Sequence, residues 1–340
     1  MKILMFCRFY EPHIGGVEKH VQKISEILIE KGFKIALITE KFKDDLSNKE
    51  EIEGVTVYRV KLLKYHWFNK FLIWHWIFKN LNLIREADIV HCHDIFFWYL
   101  PFRFLFPKKP VYITFHGWEG KFPVPKRYIF ARKIWEKLAW GNICVGEYLR
   151  KWYGTNPNFV TYGGVNLNNL HSCSRKNLPN SIAFVGRLEK EKGILNFIDI
   201  LKTFKKKEVD LIVEFYGDGS YRKIAEKFGK LYGASYDIND ISSEIIYTSG
   251  YLSSIETMVA KGLVLTIHKN KLEEDIFKIS PFSKKIFSGE TTKEIINKIL
   301  YYLSHPKEEK KLVEKGYRWA RTQTWEKVAD LYLKLWGVAE

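Results

Sequence analysis

A chain of 340 residues is too long for one ordinary core and suits two domains of average size. Its 46% hydrophobic content supplies apolar material for both. Four cysteines (Cys7, Cys92, Cys144, Cys173) show no C-x-x-C and no paired spacing, which argues against a disulfide framework or a zinc site and for a reducing, cytoplasmic setting, while a net charge of +16 points to anionic partners.

KILMFCRF (2–9) reads as a first strand; its apolar run stops at Arg8, too early for a signal peptide. The loop EPHIGGVEKH (11–20) follows, and Gly15 and Gly16 there precede a helix, where backbone could approach an anion or simply turn. It is neither G-x-G-x-x-G nor a Walker loop. VEKHVQKISEILIEKG (17–32) puts Val17, Val21, Ile24 and Leu28 on one helical face, with Gly32 as a stop. Further strands are expected at 34–40, 55–61, 87–94, 111–117 and 142–146, mostly near-continuous apolar runs of the kind buried parallel strands show.

Within this half, residues 61–151 hold 16 Lys/Arg against 6 Asp/Glu and seven of the 11 tryptophans. Basic residues interleaved with large rings suit an anionic membrane surface better than nucleic acid, although many such rings could be core. The longest apolar span, FLIWHWIF (71–78), is too short to cross a bilayer. His91 and His93 alternate along VHCHD, but no partner set follows at zinc spacing. His116, in TFHGWEG, directly follows a strand and precedes a glycine, where it could hydrogen-bond to a ligand or serve only the fold.

The polar stretch at 167–180 breaks the periodicity and reads as a linker. Strand patterns then resume at 181–188, 211–218, 244–250, 262–267 and 284–289, and WEKVADLYLKLW (325–336) is an amphipathic helix. The implied architecture is two Rossmann-like, doubly wound parallel-sheet domains facing across a cleft. FVGRLEKEKG (184–193) brings Arg187 and Lys192 off the first strand of the second domain together, two cations able to hold a diphosphate. In YTSGYLSSIETMVAKG (247–262) the Ser253–Glu256 spacing matches a capping box, predicting a helix that starts at Ser253 or Ser254. The loop Gly250–Tyr251–Leu252 offers backbone N–H groups to an anion, and a carboxylate there, Glu256, is suited to an uncharged diol such as ribose.

Together these segments, in order along nearly the whole chain, resemble the retaining glycosyltransferases of family 4, with the two-domain GT-B fold. GGVEKH, ADIVHCHD, FHG, VTYGGVN, FVGRLEKEKG, FYGDGS, IETMVAKG and QTWEKVADLYLKLW carry the likeness. It implies an acceptor-side domain over 1–166, a linker over 167–180, a nucleotide-sugar domain over 181–320, and a C-terminal helix (321–340) packed back on the first domain. It implies a donor that is a UDP- or GDP-linked sugar. Arg187 and Lys192 would hold its diphosphate and stabilise the leaving charge, with His116 near the transferred sugar. Glu256 would take the ribose hydroxyls, and Gly15 and Gly16 would approach phosphate or acceptor. No metal and no cofactor is implied, and YDIND (236–240) is a poor match to D-x-D.

One departure stands out. Thr248 occupies the place, eight before Glu256, where the family has a second glutamate for the donor sugar. The expected enzyme transfers the sugar to a lipid-linked or glycan acceptor. It would work in the cytoplasm, peripheral on the inner face of the cell membrane, and bind no nucleic acid. The alternative is a catalytically weakened sugar-nucleotide binder or partner subunit.

Overall fold

The computed structural model describes residues 1–63, 68–167, 178–234, 236 and 240–338. Most of the expected linker (168–177), Cys173 and the centre of YDIND (237–239) lie outside them. The chain divides into unit 1, Met1–Thr161 with Trp325–Glu340, and unit 2, Tyr162–Thr324.

Unit 1 begins β1 (Lys2–Phe6), α1 (Gly16–Glu30), β2 (Lys34–Glu40), β3 (Lys49–Ile52) and β4 (Val55–Val60). It continues through α2 (Asn69–Lys79), α3 (Leu81–Glu86), β5 (Ile89–His93), α4 (Phe96–Leu105), β6 (Val111–Phe115), α5 (Lys126–Leu138), β7 (Gly141–Val145), α6 (Tyr148–Tyr153) and β8 (Phe159–Thr161). Its strands order as β3-β4-β2-β1-β5-β6-β7-β8. All pair in parallel except β3, which joins β4 through Glu53-Gly54, both with positive φ (47° and 80°) as a two-residue hairpin needs. β5 and β6 are buried along their whole length, as strands covered on both faces should be.

Unit 2 runs β9 (Leu178–Val185), α7 (Ile194–Lys206), β10 (Ile212–Tyr216), α8 (Arg222–Ala225), β11 (Lys230–Leu231), β12 (Ser243–Tyr247) and α9 (Tyr251–Val259). Then follow β13 (Leu263–Ile267), α10 (Lys271–Lys278), β14 (Phe287–Gly289), α11 (Thr292–Ser304) and α12 (Pro306–Ala320). The sheet is parallel, in the order β11-β10-β9-β12-β13-β14. α7 covers it because Ile194, Phe197, Ile198, Leu201 and Phe204 fall on one stripe. Phe197 packs its ring against Phe184, Phe215 and Tyr247, each at 5.6 Å. Such a side chain contributes about 2–3 kcal/mol by burial. α13 (Trp325–Trp336) belongs to unit 1, where it packs on α1.

β9 starts three residues earlier than its apolar run, inside the stretch read as linker. Pro179 and Asn180 look like a turn, yet Leu178 N–H bonds to Ser242 O and Asn180 N–H to Glu244 Oε2. These hydrogen bonds to the segment that begins β12 override the local signal.

Candidate functional site

In an open α/β sheet the loops leaving the strands on either side of the switch in strand order form the binding crevice. In unit 2 that switch falls between β9 and β12, adjacent strands with Phe184 beside Tyr247. Arg187 follows β9, and Gly250 and Glu256 follow β12, so the topology brings both motifs to one edge.

The loop after β9 turns at Gly186 (φ 143°) and passes through one turn of 3-10 helix, Lys190–Lys192. It enters α7 at Gly193 (φ 84°), where a Cβ would strike the Tyr247 hydroxyl. Arg187 is half-exposed and lies 3.7 Å from Glu191, a contact too long and too wet to hold it. Burial, and then the charge of Arg187, depress the Lys192 pKa. The two cations therefore stand close enough to repel, and an anion between them would relieve the cost. Glu189 anchors the neighbouring loop by accepting from Ser220 N–H (2.8 Å) and Ser220 Oγ–H (2.6 Å).

The loop after β12 corrects the capping-box expectation. α9 starts at Tyr251, not at Ser253 or Ser254, and Gly250 is its cap residue, with no side chain capping the first turn. Ser254 Oγ donates to Gly250 O instead (2.7 Å). The first-turn amides, including Tyr251 and Leu252, are thus aimed outward with the helix dipole behind them. The Tyr251 side chain leaves this face and donates to Ile276 O (2.7 Å). Glu256 falls in the second turn, 8% exposed, and its charge, after burial, weakens the acidity of Tyr236. Thr248 is 1% exposed, with its hydroxyl 2.5 Å from Ser253 Oγ, which in turn bonds to Gly250 O. Its hydroxyl thus has a partner within the loop.

In unit 1 the switch lies between β1 and β5. Gly15 caps α1 and Gly16 is its first residue. The Glu18 carboxylate folds back against Gly15, where a Cβ would meet Oε2, and lies 2.8 Å from His13 Nδ1. The seat at this helix end therefore already faces a carboxylate of the chain. A cavity of about 370 Å³ opens beside it, lined by Glu11, His13, Glu18, Lys19 and Gln22.

His116 follows β6, half-buried. Its backbone N–H donates to Asp94 Oδ1 (2.9 Å), and Asp94, at the end of β5, adopts φ 60° there. Burial raises the Asp94 pKa to about 6 against the pull of Arg132. Arg132 is buried, donates from Nη2 to Gly117 O and Glu119 Oε1, and lies over the Tyr153 ring at 4.0 Å. It clamps the loop that carries His116. Around His116 stand three more histidines: His93, His20 and His91. His93 Nδ1 lies 2.9 Å from His116 Nε2. Tyr332 of α13 bridges His20 Nε2 and Thr114 Oγ1 (2.9 Å each). Burial depresses all four histidine pKa values, to about 3 for His20 and His91. No group of three or more potential metal ligands stands together among the described residues. The sequence reading did not place Asp94, Arg132 or Tyr332 at this site, because they are 16 or more residues from His116.

Residues 14–169 match the family model for Glycosyltransferase Family 4. The phosphatidylinositol N-acetylglucosaminyltransferase gpi3 subunit of Schizosaccharomyces pombe is 34% identical over 92 residues, 26% of this chain and 20% of that one. The chain thus matches about a fifth of that relative's length. An uncharacterized glycosyltransferase of Methanocaldococcus jannaschii is 27% identical over 311 residues, covering 79% of this chain and 75% of that one. Among solved structures, Anabaena HepE in complex with UDP and glucose superposes with a TM-score of 0.74 at 13% identity, covering 100% of both chains, a likeness of fold. Residues 14–169, most of them in unit 1, thus resemble Glycosyltransferase Family 4, and the chain as a whole has the two-sheet fold of solved GT-B proteins.

Proposed function

We propose that the protein moves a sugar from a nucleotide-diphosphate sugar to a hydroxyl of a lipid-linked acceptor, with retention at the anomeric carbon. The observation that carries this reading is the edge of unit 2. Arg187, a Lys192 whose charge is disfavoured first by burial and then by Arg187, and the N-terminus of α9, which no side chain caps, leave neighbouring strand ends. Fixed donors and cations of this kind stabilise the charge that builds on a departing diphosphate. They also supply it without a bound metal. Glu256, one turn along, takes the ribose hydroxyls, and His116 is kept as the sugar-side residue on the strength of the family resemblance. UDP is the preferred nucleotide, supported by the HepE fold neighbour solved with UDP and glucose.

The acceptor side is read from unit 1. Phe78, Phe104 and Phe130 on α2, α4 and α5 are 62%, 67% and 67% exposed, and exposed Lys79, Lys126, Arg127 and Lys137 share those helices. Exposed rings among cations suit the headgroup level of an anionic membrane. No helix among the described residues is long and apolar enough to cross one. The relative that acts on phosphatidylinositol supports a lipid acceptor.

A panel of UDP, GDP and their sugars in thermal-shift measurements tests the donor half. A specific donor raises the melting temperature by mass action; no shift with any of them refutes it. A second reading, a sugar-nucleotide binder without turnover, is favoured by the inward-facing Thr248 hydroxyl. Tight donor binding with no transfer to polyprenyl phosphate or phosphatidylinositol would support it.

A further inference from the structure

What His116 offers a sugar oxygen depends on which ring nitrogen carries its proton. Nε2 is already committed, 2.9 Å from His93 Nδ1. Burial keeps both rings neutral. Each then has one N–H and one lone pair, and a single proton occupies the contact. If His116 Nε2–H donates, His93 must carry its proton on Nε2. That atom is buried with no hydrogen-bond partner among the described residues. A buried N–H with nothing to accept it is the rarer and costlier orphan. If His93 Nδ1–H donates, the buried Nε2 is only a bare lone pair, and His116 keeps its proton on Nδ1. That nitrogen has no partner among the described residues and is not sealed from solvent.

We propose that His93 is a positioning residue: it holds His116 as the Nδ1–H tautomer, so that the open side of the ring donates a hydrogen bond to an oxygen of the bound sugar. This rests on the reading of His116 as the sugar-side residue. The surroundings favour one ring orientation. His20 meets the His116 ring edge to face (4.7 Å, 87°), and the His116 backbone is tied to Asp94. His93 itself packs against the rings of His91 (4.9 Å) and Tyr332 (6.2 Å). Proton positions in this stack are already directed at one end. Trp336 Nε1–H can only donate, so His91 Nδ1 accepts (3.1 Å) and His91 Nε2–H passes to Thr114 Oγ1 (2.8 Å).

Imidazole 1H–15N spectra of the intact protein test the tautomer, with His116 assigned by its loss in His116→Asn. Wild type should show His116 protonated on Nδ1. His93→Asn places an amide donor near the former Nδ1 and should keep that state; His93→Asp places only an acceptor there and should move the proton to Nε2. An Nε2–H in the wild type, or an Nδ1–H that survives in His93→Asp, overturns the proposal. If His93→Asp does not fold, the wild-type and His93→Asn spectra decide. Calorimetry with UDP and UDP-N-acetylglucosamine reads the consequence. His93→Asp should weaken the sugar nucleotide roughly tenfold, the loss of about one hydrogen bond, while leaving UDP unchanged, and His93→Asn should restore it. Equal weakening of both probes, or no rescue, overturns it. If wild type binds neither probe, the nucleotide-sugar reading has failed, and the spectra still decide the role of His93.

Discussion

Lowering the pH from 7 to 5 should destabilise unit 1 selectively. His20 and His91 are held neutral by burial, with pKa values of about 3, against about 6.5 in an unfolded chain. A base whose folded pKa is depressed gives its full stability above 6.5 and loses it as the pH falls toward the folded value. Between pH 7 and 5 the unfolded state gains about 0.7 of a proton per histidine. Integrating the linkage gives a loss of about 2 kcal/mol for each, about 4 in all. Asp94, raised to about 6, opposes this. It takes up its proton in the folded state first and returns about 1 kcal/mol. The net is a loss of about 3 kcal/mol, and His93 and His116 add to it in the same direction. Unit 2 carries the opposite sign in Glu309, raised to about 7 by burial and by Glu244, which gains stability on acidification. Urea unfolding followed by tryptophan fluorescence separates the two, because every tryptophan except Trp319 lies in unit 1. An unchanged or higher unit 1 stability at pH 5 would refute the picture of a neutral histidine stack.

Arg187→Ala and Lys192→Ala should each weaken UDP binding by roughly 10- to 100-fold, the worth of a charge-assisted hydrogen bond, as read by calorimetry. Catalysis should survive EDTA if, as proposed, the cations that meet the diphosphate are Arg187 and Lys192; abolition by EDTA and recovery with Mg2+ would contradict this. Gly193→Ala should destabilise unit 2 by about 1–3 kcal/mol through its φ of 84° and the collision with Tyr247, and Phe197→Ala by about 3–5 kcal/mol. Phe104→Asp with Phe130→Asp should abolish co-sedimentation with phosphatidylglycerol vesicles while leaving UDP affinity intact; unchanged sedimentation would place lipid contact elsewhere.

The longer parallel strands were legible because burial on both faces leaves continuous apolar runs such as Val111–Phe115, whereas the short β8 and β11 leave none. β3 was not, because KEEI is a charged edge strand held by its hairpin turn and by backbone pairing. Arg187 and Lys192 were readable since one short loop carries both. The start of α9 was misread because Ser253 and Glu256 imitate a capping box while Gly250 needs no side chain to cap. The histidine stack was invisible for a different reason: His20 and Tyr332 are 312 residues apart, and no local pattern reports a contact of that span.

The return of α13 to unit 1 also bears on how the protein is made. Unit 2 is in effect an insertion of 163 residues, 162–324, within unit 1. At about 5–20 residues per second a ribosome takes roughly 8–30 s to traverse it. During that interval the nascent first half has its sheet but lacks Tyr332, Trp325 and Trp336, and His20 and His91 have no partner from α13. Unit 2, begun later, can finish folding first. The half-built unit is then the state a chaperone would meet.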